Sequence, residues 1–250
     1  MTTRGAALVT GAGRRIGQVL ALEAARAGYD VAIHYRASGD EAEDTARGVR
    51  DLGRRAVLVR ADLSDEDETR SLVAQAASLG PLTLLINNAS AFEDDRVGGL
   101  SRAVWDRHFE TNLRAPIVLA EAMAAALPDD RQGLVVNLID QRVWRPNPQF
   151  FSYTLSKAGL WWATQTLAQA LAPRIRVNAI GPGPTLPSVH QAPGEFEAEA
   201  AGVLLQRRAS PEEVAAALRY LIDASSVTGQ MIAVDGGQHL GWKTPDIVAP

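Results

Sequence analysis

In the stretch FFSYTLSKAGLWW, residues 150–162, a tyrosine and a lysine stand four positions apart, Tyr153 and Lys157. No proline interrupts it and Gly159 is its one interior breaker, so on a helix both side chains share a face. An ammonium beside a phenol favours phenolate and draws the tyrosine pKa down from about 10 toward the working range. A phenol so placed can exchange a proton with the oxygen of a carbonyl or the nitrogen of an imine. The same pair on a solvated helix would do nothing, so its meaning depends on what else the chain brings to it.

The chain opens with a candidate for the second half of a redox site. Residues 6–10, AALVT, read as a short buried strand that runs into TGAGRRIG at 10–17 and then into the helix-forming QVLALEAARAG, which ends at Gly28. In such a strand, turn and helix, Gly11 and Gly13 permit a tight turn and close backbone approach, and Gly17 permits close packing. The helix N-terminus then offers free N–H groups to a pyrophosphate. The second strand, DVAIHY at 30–35, is followed by Arg36 and Ser38 rather than by an acidic residue. An acid there suits a free ribose, whereas Arg36, Ser38 and Arg14 suit a 2′-phosphate, so the pattern selects NADPH/NADP+ over NAD.

The remaining elements set polar residues at strand ends. Asp62 closes the strand AVLVRADL and is placed to accept from an adenine amino group, while Ser64 with Asp67 predicts the cap of the next helix. The strand LTLLINNA at 82–89 ends in amides and leads to Ser90, Ala91 and Phe92; Asn88 can bind backbone or a cofactor ribose. One helix is predicted from about 101 to 127, with Asn112 buried at its middle and in need of a partner. GLVVNLID at 133–140 leaves Asp140 at its tip, and RIRVNAIGPGP at 174–184 gives a strand and a Gly/Pro turn. Residues 184–208 have no clear period and predict a flap over the substrate; Ser210, Pro211 and Glu213 begin a last helix, and MIAVDGG at 231–237 is a seventh strand.

Seven short apolar strands alternating with helices, joined by right-handed crossovers, predict an α/β fold. It is one doubly wound domain over 1–250, a parallel sheet with helices on both faces and ligands at the strand C-termini. A hydrophobic content of 46% with net charge −4 gives no global basic surplus for nucleic acid or an anionic membrane. There is no cysteine, so thiol catalysis, thiolate metal sites and disulfides are excluded. The histidines at 34, 108, 190 and 239 lack metal-site spacing, so no metal is expected. The start, MTTRGAALVTGAG, has no signal-type apolar run, and no segment has the length of a membrane span, so a cytoplasmic location is expected.

Taken together, TGAGRRIG, NNAS at 87–90, Asn112, Tyr153 with Lys157 and the GPGP turn after RVNAI resemble the short-chain dehydrogenase/reductase family over nearly the whole chain. The resemblance implies a single Rossmann-type domain, assembled as a homotetramer or homodimer. In it Tyr153 handles the proton, Lys157 binds the nicotinamide ribose and lowers the tyrosine pKa, and Asn112 positions a water in the proton relay. It also implies a cofactor surface of Gly11, Arg14, Arg15, Ile16, Gly17, Tyr35, Arg36, Ser38, Asp62, Leu63, Asn88, Ala89, Ser90, Lys157 and Gly183.

Two departures narrow the reading. Most family members carry serine 13 residues before the tyrosine, where this chain has Asp140, and a middle glycine in the first motif, where it has Arg15. Serine donates to a ketone oxygen that gains charge as hydride arrives; an ionised aspartate only accepts and would repel that oxygen. An acceptor at this place suits a substrate with ring N–H or amino donors reduced at a C=N bond. Both departures, with Phe92 and the run HYRAS, are similar to the pteridine reductase branch, which includes dihydromonapterin reductases. That likeness implies substrate contacts from Arg15, Phe92, Asp140 and Tyr153, with Phe92 stacked on the pterin. The competing expectations are a carbonyl or 3-oxoacyl thioester reductase and a non-catalytic NADP(H)-binding sensor.

Overall fold

A computed structural model describes residues 3–188 and 191–242, so His190 and part of the 184–208 segment lie outside the described residues. Strands β1 (Ala6–Val9), β2 (Asp30–Tyr35), β3 (Ala56–Arg60), β4 (Leu82–Asn87), β5 (Gly133–Leu138), β6 (Ile175–Pro182) and β7 (Met231–Val234) form one sheet. Its order is β3-β2-β1-β4-β5-β6-β7, with every pairing parallel. Such strands are covered on both faces, which is why they read as unbroken apolar runs. Alternation then divides them: Ala7 and Val9 enter one core, Ala6 and Leu8 the other.

Helices α1 (Arg15–Arg26), α2 (Gly39–Asp51) and α8 (Pro211–Asp223) cover the first face through Leu20, Ala46 and Leu218. Helices α3 (Glu66–Ala76), α5 (Ala115–Ala126) and α6 (Phe151–Leu171) cover the second through Leu72, Leu119 and Ala168. The winding reverses between β1 and β4, so the loops after these two strands open a crevice at their C-terminal ends.

Four local expectations change. The helix expected over 101–127 is α4 (Arg102–Phe109), a π-helical turn (Glu110–Arg114) and α5. The α3 cap is Asp65, whose carboxylate accepts from the Glu68 N–H, while the Ser64 hydroxyl donates to Asp62. β5 ends at Leu138, so Asp140 stands two residues beyond the sheet. The 184–208 segment contains a helix, α7 (Glu195–Gly202), anchored by buried Phe196 and Ala200, too few apolar positions to show as a period. The α8 cap is as expected: Ser210 and Glu213 form a reciprocal capping box with Pro211 at the first helical position.

Candidate active site

The turn after β1 is held from both sides. Asn88 donates from Nδ2 to the carbonyls of Thr10 and Gly11 at 2.9 and 3.1 Å, and the Thr10 hydroxyl oxygen accepts from the Asn88 and Ala89 N–H groups. Asn88 therefore binds backbone. On the other side, His34 of β2 accepts the Gly11 N–H at Nδ1 (3.0 Å) and donates from Nε2 to the Ala61 carbonyl (3.1 Å). Burial lowers its pKa, so the neutral tautomer with the proton on Nε2 satisfies both bonds. Gly11 takes φ +62°, and a Cβ on Gly17 would lie 2.1 Å from the Gly11 carbonyl oxygen, so both positions require glycine.

All the expected cofactor residues except Lys157 and Gly183 line one cleft of about 670 Å³. Those two line a smaller adjoining cavity of about 200 Å³, together with Asp140 and Tyr153. Arg15, Ile16, Asn88 and Ser90 border both. The first turn of α1, which has no side-chain cap and no acidic residue, faces this space with unpaired N–H groups. Arg36 and Ser38 lie at the β2 end of the large cleft, and Asp62 is 4.0 Å from Arg36.

In the smaller cavity the Tyr153 hydroxyl donates to Asp140 Oδ2 at 2.9 Å. Asp140 Oδ1 accepts the Arg142 N–H, and both carboxyl oxygens are thereby fixed. Lys157, 2% exposed, donates from Nζ to the Leu138 carbonyl at 2.8 Å and lies 5.8 Å from the Tyr153 ring centroid. The spacing does put both side chains on one face, but the expected lowering of the tyrosine pKa is absent. Burial, then the Asp140 carboxyl, holds the phenol well above its ordinary value. Burial likewise raises Asp140, the opposing pull of the Arg142 N–H notwithstanding, and lowers Lys157 to about 8. Desolvation, which disfavours the charged form of each of these groups, outweighs the opposing pull of Arg142 on the phenol.

Asn112 lies under this site at the π-helical turn. Its Oδ1 accepts from the Ala91 N–H (2.7 Å) and the Ser90 hydroxyl (3.2 Å); its Nδ2 donates to the Ala91 carbonyl (2.9 Å) and Ser156 Oγ (3.1 Å). The side-chain amide is fully engaged in tying the loop after β4 to α6. Phe92 lines the large cleft with its ring 4.7 Å from that of Tyr153, and Phe150 stacks parallel on it at 4.2 Å. Arg15, at φ +57° where other members carry glycine, donates to the carbonyls of Pro187 and Leu186 and so reaches the start of the flap.

Several residues at the site escaped the sequence reading. His34 sits inside an apolar strand with no motif around it, though a buried histidine beside a glycine turn signals a backbone partner. Phe150 at φ +52° was concealed because nothing in the sequence reports a left-handed residue before a helix. His108, Asp95 and Ser152 are far apart in sequence and meet only in the fold.

Comparison with known proteins agrees with this geometry. The family model described as enoyl-(acyl carrier protein) reductase matches residues 11–239. A 3-oxoacyl-[acyl-carrier-protein] reductase FabG of Staphylococcus epidermidis is 30% identical over 94% of this chain and 98% of its own length. The crystal structure of FolM alternative dihydrofolate reductase 1 from Brucella canis, complexed with NADP, is 55% identical with a TM-score of 0.94 and covers 99% of both chains. A short-chain dehydrogenase from Burkholderia cenocepacia in complex with NADP is 33% identical, with a TM-score of 0.88 over 94% of this chain and 98% of that one. Sheet order, glycine turn and the Tyr153/Lys157 helix agree with these matches, and the chain belongs to the short-chain dehydrogenase/reductase family of oxidoreductases.

Proposed function

We propose that this chain is an NADPH-dependent reductase of a pterin or dihydropterin C=N bond. The observation that carries it is the 2.9 Å bond between the Tyr153 hydroxyl and Asp140, at the position where a ketone reductase needs a neutral donor. The 55% identity to a protein called an alternative dihydrofolate reductase and crystallised with NADP supports both substrate class and cofactor.

The residues present fit that cofactor. A Cβ on Gly17 would meet the Gly11 carbonyl and one on Gly13 would come within 2.9 Å of Ser38 Oγ, so these glycines let the turn close up beside the cleft that would take the pyrophosphate. The uncapped α1 N-terminus suits the pyrophosphate charge, and Arg14, Arg36 and Ser38 suit a 2′-phosphate. Lys157 would hold the nicotinamide ribose. When bound, NADPH supplies the hydride that converts C=N to CH–N⁻. Tyr153 gives its proton to that nitrogen, and Asp140, which accepts the phenol's hydrogen bond and whose pKa burial raises, is the group placed to pass the next proton to the phenolate. Ionised, Asp140 can instead accept from a ring N–H or amino group and orient the heterocycle. Arg15 and Phe92 border the same space and complete the substrate contacts.

Residues 1–250 would act as one domain with 184–208 as its flap. The assembly would be a homotetramer or homodimer in the cytoplasm, and 67% exposed Trp162 on α6 is an apolar surface that a partner subunit would cover. No helix of the described residues is long and apolar enough to cross a membrane.

The FabG relatives favour one competing reading, a 3-oxoacyl thioester reductase. Loss of NADPH absorbance, followed with dihydrobiopterin or dihydromonapterin beside an acetoacetyl thioester, separates the two. Turnover of a pterin is expected; turnover of the thioester alone overturns the proposal.

A further inference from the structure

Behind the Phe92 wall the fold buries a histidine, a serine and a carboxylate that the chemistry above leaves unused. His108 in the last turn of α4 and Ser152 in the first turn of α6 are both 0% exposed, and Asp95, in the loop after β4, is 7% exposed. Ser152 donates its hydroxyl to Asp95 Oδ2 at 2.5 Å and its N–H to Oδ1 at 3.0 Å. His108 Nδ1 is 2.7 Å from Ser152 Oγ, and Nε2 is 3.1 Å from the backbone nitrogen of Glu93. A backbone N–H only donates, so Nε2 is the bare nitrogen and Nδ1 carries the proton, which it gives to Ser152 Oγ. The order is therefore Glu93 N–H to His108 to Ser152 to Asp95, each donor matched to one acceptor. A hydrolytic triad would need the serine to donate to the histidine and face a cleft. Here it donates to the carboxylate and is sealed from solvent, so nucleophilic chemistry is excluded.

Two members of this chain of bonds adjoin the substrate slot. Glu93 follows Phe92, and Ser152 precedes Tyr153, whose rings meet edge to face at 4.7 Å. The Glu93 side chain is taken by Arg107, which leaves its backbone N–H to the histidine. We propose that His108 is a positioning residue: by holding the Glu93 N–H at one ring nitrogen and the Ser152 hydroxyl at the other, it fixes the spacing between the Phe92 ring and the Tyr153 phenol, and so the slot for a flat heteroaromatic substrate. Only the identity of that flat substrate rests on the pterin reading.

The clamp has a built-in acid limit. The charged groups facing His108 are Asp95 and Glu93 on the loop, Arg107 on its own helix and Lys157 on α6, with the Tyr153 ring against it. Burial holds its pKa below the ordinary 6.5, so the ring is neutral at neutral pH. A second ring proton would set N–H against the Glu93 N–H and release the loop end alone.

Two substitutions cut the clamp at different ends. In His108→Asn the amide reaches the place of Nδ1 and keeps Ser152 but drops Glu93; in His108→Gln it reaches the place of Nε2 and keeps Glu93. His108→Asn should raise the KM for dihydropterin about tenfold, with His108→Gln within about threefold of wild type, and the NADPH dissociation constant unchanged in both. Hydrogen exchange of the Glu93 amide should show protection at pH 7 in wild type and His108→Gln, and none in His108→Asn. In acid, protection beyond the intrinsic rate change should be lost in wild type and kept in His108→Gln. Equal KM changes in the two variants, or equal Glu93 protection in all three proteins, overturn the clamp. If wild type turns over no pterin, it is the pterin reading that fails, and the exchange data alone decide the clamp. If His108→Asn does not fold, the acid comparison of wild type with His108→Gln decides it.

Discussion

Tyr153 carries the reaction only if its proton has somewhere to come from, and Asp140 is the group that touches it. Replacing Tyr153 by Phe removes the donor and leaves the cofactor cleft intact. Turnover should fall by about 10³-fold or more, with NADPH affinity within a factor of about three by fluorescence titration; retained turnover would show that another group gives the proton. The spacing of Tyr153 and Lys157 was legible because a helix puts i and i+4 together, and Asp140 because it stands at a fixed interval before the tyrosine. The direction of the phenol's shift was not, since it depends on how completely β5 and α6 exclude water and on Lys157 turning to the Leu138 carbonyl. That burial has a measurable consequence. With a native pKa of about 8 against 10.5 unfolded, Lys157 leaves the native state with fewer protons than the unfolded chain between those values. Its contribution to stability therefore rises with pH through that window, by about 3 kcal/mol in all. In urea unfolding from pH 7.5 to 10.5, the stability advantage of an apo Lys157→Met variant should shrink by that order; a constant difference would mean that the lysine is not desolvated.

The strands were legible from their apolar runs, because a parallel sheet covered on both faces asks nothing else of a strand. The stretch from 101 to 127 was not, and Asn112 is the reason. A continuous α-helix would leave its amide in an apolar layer, whereas the π-helical turn aims it at Ala91 and Ser156. The turn thus fastens the loop carrying Phe92 to the helix carrying Tyr153, one turn along α6 from the Ser152 bonds. Asn112→Ala removes four hydrogen bonds and leaves the half-buried Ala91 N–H unpaired, so a loss of about 3 kcal/mol is expected in denaturant unfolding. A loss below about 1 kcal/mol would mean that water replaces the amide without consequence. The α7 helix was missed for a different cause: two buried residues hold it, and a stretch anchored so sparsely carries no period.

Net charge of −4 hides how charge is distributed over the whole molecule. The loops after β1 and β2 meet at the crevice and bring Arg14, Arg15 and Arg36 to one cleft, to which α4 adds Arg107. A sum over the sequence cannot report this; the adjacency of β1 and β2 in the sheet places the first three together. Arg36 is 65% exposed, and its nearest carboxylate, Asp62, stands 4.0 Å away, a distance at which the pair is weak. Its guanidinium is therefore free to turn to an incoming phosphate. If it recognises the 2′-phosphate, Arg36→Ala should weaken NADPH by about 10- to 100-fold, leave NADH unchanged and lower turnover with NADPH only below saturation. Added salt should weaken NADPH binding to wild type more steeply than to Arg36→Ala, because the variant has one fewer exposed charge contact to screen. Equal losses for NADPH and NADH would instead make Arg36 a support for the loop after β2, and the coenzyme choice would then fall to Arg14 and Ser38 alone.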